Sequence, residues 1–431
     1  MPFSMPRLIR PLSLAALAAS VSIVPLNQAF AQEELSGSIR FSWYGGQTRN
    51  EKIDHMVNLF QKRHPGTTIN QEPLDWPSYW ERLGVQAAGN NLPCLVGMLP
   101  FNIAEYAGRG LLADFQPQID SGAISLDEIS PDLVAASRWS DGKLLMLPYG
   151  AAPDTITYNA TLAEAAGIEP LPESYDWDAF FDWLLAAQAS LPADIWAIDS
   201  PANNPDLLLA YIGSHGYKVY EGETLGFPKE VLVAWFTEWH ELNAGGAMVP
   251  ADMLSEEPGA HELSYFAAGR SLASQRPANA LAALQGGVAA RGSGDILVTQ
   301  LYPIGPEGVG DFVPVNSLSM AASCDNVPLA AAFADFFLND PEAGEIFASD
   351  NGAVTNAALL QSQVNNADTP APVRALLETF QQVNERGSVA QTFPARFQSR
   401  FTEVHKRLVM EVLFGSLTPQ QAADTFFTEA E

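Results

Sequence analysis

The residues with the most chemistry to offer form a binding set. Trp43 and Tyr44 end an alternating run, Ile39, Phe41 and Trp43, just before Gly45 and Gly46. Aromatic side chains at the carboxyl end of a strand stand where open α/β sheets hold ligands. Their faces suit the apolar side of a small ring, and a few polar groups then fix its orientation. Gly46, Gln47 and Arg49 follow in the same stretch; Arg49 is either a helix-face charge or a group reaching a cleft. Tyr149 beside Gly150 reads as part of a turn between two strands, a second place for ligand contact. Asn102 is either a helix N-cap or a contact. Asp154, Arg276 and Asn316 sit at strand edges, with surface and ligand roles both open.

Catalytic patterns fail in turn. His261-Glu262 begins like a zinc protease motif, but Tyr265 stands where the second histidine belongs. Gly292-x-Gly294 and Gly308-x-Gly310 lack the third glycine of a dinucleotide loop. No phosphate-binding glycine loop with Lys-Ser/Thr and no nucleophile elbow is present. The two cysteines, Cys94 and Cys324, are too few for a zinc site, so no metal and no cofactor is implied. Paired carboxylates remain open as a route to glycoside hydrolysis, because 50 acidic residues permit many pairs.

The stretch Ser38 to Ile69 must position the first of these residues. It reads as a strand, a glycine turn, a helix and a second strand. Thr48 with Glu51 reads as a capping box. Ile53, Met56, Val57 and Phe60 share one helical face, and His64-Pro65-Gly66 stops the helix. Trp76 to Ala88 reads as a helix capped by Asp75, and Cys94 to Leu99 as a short strand. Alternating strands and helices predict an α/β fold with a mainly parallel sheet. Further on, Lys143–Pro148, Thr155–Tyr158, Asp295–Tyr302 and Phe312–Ala322 read as strands. Trp177–Gln188, the Trp235/Trp239 stripe and the tail from Arg374 read as helices, with Thr418-Pro419-Gln420-Gln421 as a capping box.

Arg7 and Arg10, the apolar run Leu12 to Val24 and Ala29-Phe30-Ala31 read as a signal peptide over 1–31, with Gln32 starting the mature chain. No cysteine lies near that site, so a lipid anchor is not expected, and no later run is long enough to span a membrane. The formal charge of −28 argues against nucleic acid and anionic membranes as partners. The length favours two domains.

Together these stretches resemble the extracellular solute-binding proteins of ABC importers, in the branch that mostly binds carbohydrates. FSWYGG at 41–46 and QKRHPGTTI at 61–69 match that family's opening strand, turn and helix end. Tyr79-Trp80-Glu81-Arg82-Leu83, AEYAGRGLLADF, GKLLMLPYG, ITYNATLAEAAGI, FAAGRSLAS and LNDPEAGEIFASDNGAVTN follow in family order. Two stretches depart. Pro93-Cys94 replaces a usual Pro-Asp, and Gln275-Arg276-Pro277 replaces a ligand-facing stretch, which points to an unusual substrate.

The resemblance implies a two-lobed periplasmic-binding-protein fold with a ligand cleft at the hinge crossings. Lobe 1 would hold 33–118 and 312–352, and lobe 2 would hold 119–311 and 353–431. It implies an exported, periplasmic monomer that captures a carbohydrate or sugar-like polyol by hinge closure and delivers it to membrane permease subunits. Another polar solute, such as an opine, a polyamine or an anionic sugar, is the alternative, and Arg49 with Arg276 would favour an anion if both line the cleft. A secreted glycosidase is the reading from another class. The same fold sets the third strand antiparallel to the returning strand, which implies a Cys94–Cys324 disulfide.

Overall fold

The computed structural model describes residues 34–199, 204–254, 256–258, 260–388, 391 and 393–430. The expected signal peptide lies outside the described residues. Strands run in chain order as β1 (Gly37–Tyr44), β2 (Thr67–Leu74), β3 (Leu95–Met98), β4 (Leu147–Ala151), β5 (Asp154–Asn159) and β6 (Trp196–Ile198). A short hairpin, β7 (Tyr220–Glu221) and β8 (Thr224–Leu225), follows. Then come β9 (Ser271–Pro277), β10 (Leu297–Gln300), β11 (Val315–Met320) and β12 (Ala353–Val354).

Two main sheets result. The larger has the order β12-β4-β11-β3-β1-β2, and the smaller β10-β5-β9-β6. β1, β2 and β3 are parallel, whereas β11 runs antiparallel to both β3 and β4. The ends Tyr44, Leu74, Met98 and Ala151 therefore share one edge with the start of β11, Val315-Asn316. In the smaller sheet β5 runs antiparallel to β9 and β10, while β6 is parallel to β9. The start of β5 at Asp154 thus shares an edge with Gln275–Pro277, Gln300 and Asp199. Only Ala152 and Pro153 separate β4 from β5, so these two edges are brought together.

Local chemistry explains the opening unit. Ile53, Met56, Val57 and Phe60 are buried, and the helix Gln47–Arg63 ends with Lys62 and Arg63 in its last turn, favourable to its dipole. The capping-box expectation is overturned. Gly46 is the N-cap without a side-chain bond, so Thr48 and Glu51 lie inside the helix. The glycine pair lets the chain enter the helix directly, two residues before a cap at Thr48 would act. The expected turn at Tyr149 is also corrected. Pro148, Tyr149 and Gly150 lie within β4, and the register shifts there by a bulge opposite Asn316 and Ser317.

β4 and β12 belong to the larger sheet, although the expected boundaries put 119–311 and 353–431 in the second lobe. The helix Ala371–Arg386 packs Leu376, Leu377 and Phe380 on Ala151 and Ala353 of the larger sheet and on Ala278 beyond β9. It therefore bridges the two sheets. The tail then packs Phe397, Phe401, Leu408 and Phe426 into one core with Trp235 and Trp239. Cys94 and Cys324 form a disulfide across the starts and ends of β3 and β11, beside the Leu95–Met320 pair.

Candidate functional site

The edge of the larger sheet carries a closed polar network. The Tyr44 hydroxyl donates to Asn316 Oδ1. Asn316 Nδ2 donates to the Asn351 carbonyl at 2.8 Å, and Asn351 Nδ2 donates to the Tyr149 hydroxyl at 2.8 Å. Tyr44, Tyr149 and Asn316 are thus brought together, and all three are buried. Gly150 is required here, because a Cβ would run into the Asn351 carbonyl. The network fixes the floor of this edge by satisfying its own members.

Arg49 reaches the same edge. Its Nη1 donates to the Tyr44 carbonyl at 3.0 Å and its Nε lies 3.4 Å from Asp350 Oδ2. Asp350 is presented by a loop in which Ala348 and Ser349 hold positive φ, 48° and 54°, a conformation that side chains disfavour. Its carbonyl accepts from Arg49 Nη2 at 3.4 Å and from Asn279 Nδ2, beyond β9, at 3.5 Å. Asp350 therefore joins the two edges.

The facing edge is rich in carboxylates. Gln275 Nε2 donates to Asp154 Oδ1 at 3.1 Å and to the Tyr302 hydroxyl at 2.5 Å, while Asn204 Nδ2 donates to Gln275 Oε1. Arg276 pairs with Asp199 at 2.9 Å and Glu257 at 3.1 Å. Arg386, at the end of the bridging helix, pairs with Asp311 and donates to the Tyr302 carbonyl at 3.0 Å. Burial raises the Asp154 carboxyl well above its usual range, and the neighbouring charges of Asp206 and Asp311 add to this. His261 is pushed down to about 4 by burial, then by the charge of Arg276, against a smaller opposing pull from Glu262, so the imidazole stays neutral.

Burial holds Asp206 up to about 7, against an ordinary 3.8. The folded protein binds more proton than the unfolded chain between those values. The contribution is complete below the unfolded value and is lost as pH rises through about 7. Asp206→Asn cannot ionise, so it is expected to raise the melting temperature near pH 8 by about 2–4 °C and to gain little near pH 4. Equal gains at both pH values would contradict this account.

The remaining expected residues are placed elsewhere. Trp43 lies in the core of the larger sheet, 4.9 Å from Phe41, with its indole N–H donating to Asn50 Oδ1. The pleat sends it to the face opposite Tyr44, so it is not brought to the open edge. Gly46 serves as the helix N-cap, and the exposed Gln47 donates to Glu51. Asn102 holds the N-cap position of the helix Ile103–Ala107 but makes no capping bond, and its buried Oδ1 has no partner.

Sequence reasoning missed Asp350, Asn279, Asp206, Tyr302 and Trp76. Only Trp76 carried a usable signal, a tryptophan two residues beyond a strand's end.

A model of the family described as bacterial extracellular solute-binding protein matches residues 55–375. Among solved structures, the chain is similar to a periplasmic solute-binding protein of Pectobacterium atrosepticum, at 18% identity and a TM-score of 0.79, covering 92% of this chain and 98% of that one. It is similar to an oligogalacturonide-binding protein of Yersinia enterocolitica in complex with saturated digalacturonic acid, at 18% identity and a TM-score of 0.76, covering 91% and 97%. It is also similar to an ABC substrate-binding protein of Listeria monocytogenes in complex with cycloalternan, at 17% identity and a TM-score of 0.75, covering 92% and 98%. At these identities the likeness carries the fold.

Proposed function

The chain belongs to the bacterial extracellular solute-binding protein family, and from that premise we propose that it captures a carbohydrate or sugar-like polyol for an ABC importer. The observation that carries this reading is the meeting of two sheet edges across a two-residue crossing, lined by amides, carboxylates and tyrosines. Such groups match the hydroxyls of a polyol, and structural neighbours hold cycloalternan and digalacturonic acid.

In this reading one lobe comprises the larger sheet with its flanking helices, and the other the smaller sheet with the helical tail. The helix Ala371–Arg386 lies across both. The hinge comprises Ala152-Pro153 and the segment 311–314, which are tied by Ala152 N–H donating to the Pro314 carbonyl at 3.0 Å. Solute that contacts both edges only when the lobes close shifts the open–closed balance by that difference in affinity. Tyr44, Arg49, Asn102, Tyr149, Asp154, Arg276 and Asn316 are proposed to border the solute, directly or by holding its neighbours. The closed form then docks, as a monomer, on permease subunits outside the cytoplasm. Among the described residues no helix is long and apolar enough to cross a membrane.

The charges favour a neutral solute over an acidic one. Arg49 already has Asp350, and Arg276 has both Asp199 and Glu257. Thermal melting against mono- and oligosaccharides, polyols, anionic sugars and amines tests the reading. A ligand at about 100 times its Kd is expected to add roughly 2.7 kcal/mol, with the sugar recovered unchanged. A shift only with amines or acids would overturn the carbohydrate assignment. Breakdown of the sugar would replace binding by hydrolysis.

A further inference from the structure

Trp76 is half exposed, at 50%, while Tyr44 and Tyr79 beneath it are buried and Trp80 is partly covered. It opens the helix Trp76–Ala88, whose first turn is rigid. Asp75 caps the Ser78 N–H at 3.1 Å, and a proline lies in that turn. Trp76 stands edge-on to Tyr44, with ring centres 4.8 Å apart at 82°, and to Trp80, 5.6 Å apart at 77°. These contacts fix the orientation of the indole and leave much of its surface open to solvent. A large apolar side chain held this way is a prepared contact surface, because ordering it on binding costs little.

Its place in the sheet indicates what it would take. Trp76 lies beyond the end of β2, the outermost strand, whereas the crossing to the other lobe leaves from β4. From β4 the order runs through β11, β3 and β1 to β2, and the Trp76 ring leans back on Tyr44 of β1, so roughly 10–15 Å separates the crossing from the Trp76 platform. A single pyranose is little wider than one strand spacing. It cannot touch the Asp154–Gln275 end and Trp76 together. A chain of sugar rings can, with the C–H face of an outer ring on the electron-rich indole.

Resting on the carbohydrate reading above, we propose that Trp76 is an outer subsite and that the solute is an oligosaccharide of at least two rings. The test measures affinities by calorimetry for mono-, di- and trisaccharides of the α-glucan, β-glucan, xylan and galacturonan series. In the recognised series, affinity rises with length. Trp76→Ala lowers trisaccharide affinity about tenfold or more and monosaccharide affinity much less, and Trp76→Phe recovers part of the loss. The melting temperature of each unliganded variant confirms that it is folded. Equal affinity at every length, or the same loss at every length in Trp76→Ala, overturns the subsite and leaves the carbohydrate reading standing. No binding by any saccharide of any length overturns both.

Discussion

Gly310→Ala is expected to destabilise the protein by about 3 kcal/mol or more, a large effect for one methyl group. A Cβ at 310 would overlap the Ala210 carbonyl and the Ser214 amide nitrogen, both backbone atoms of the helix Pro205–Ser214. Neither can move without breaking that helix. The contact is close from both sides, since a Cβ at Gly213 would come within 3.0 Å of the Gly310 carbonyl. Gly305 repeats the pattern, with a virtual Cβ 2.5 Å from the Ser214 carbonyl. The glycines near the failed dinucleotide motif therefore allow the second crossing to lie flat on a helix. Asp311, which Arg386 holds, comes next. Thermal melting checks the expectation. A melting temperature within about a degree of the parent would mean that the crossing is not fixed to this helix. If the variant folds, its saccharide affinity is also expected to fall, because the displaced segment leads into the proposed hinge at 311–314.

Loss of the disulfide is the second large effect. Cys94→Ala with Cys324→Ala opens a link between residues 230 apart. The expected cost is about 2–5 kcal/mol, mainly through the greater freedom of the unfolded chain. The link ties β3 to the end of β11, the two strands at the middle of the larger sheet. Reductant should lower the melting temperature of the parent and leave the double variant unmoved. Ligand affinity should change little, because the bond joins neighbouring strands of one sheet at the end away from Asn316. If reductant lowers both proteins equally, the bond is not the source of the stability.

What could be read from the sequence follows the range of the interactions. The helix Gln47–Arg63 was legible because its buried face repeats with the helical period. The box at Thr418 was legible because both its partners are local, and both bonds form. Pro148-Tyr149-Gly150 misled because proline and glycine usually break strands. Here the bulge takes up the proline, and the glycine makes room for Asn351. β9 was sensed only as an edge at Arg276 and not delimited, because Ser271–Pro277 shows no alternation of apolar and polar residues, being buried along most of its length. Trp43 and Tyr44 look equivalent as neighbours, yet the pleat sends one to the core and the other to the network. Asp350 and Asn279 were beyond reach. Their contact spans 71 positions and depends on a strained loop that leaves no local mark.

The interleaving of the chain has a consequence for the order of folding. The larger sheet needs β11 between β3 and β4 and β12 beside β4, so it cannot be completed until residue 354 has been made. The other core needs Phe426 and Ala430, and the Tyr220 hydroxyl donates to the Ala430 carbonyl 210 residues away. Neither half can therefore bury its apolar surface as an early, independent unit. Contacts this distant in sequence make folding slow, since chain entropy is lost before they form. A nascent chain of this kind stays unfolded for most of its synthesis, which suits a member of a family whose proteins work outside the cell.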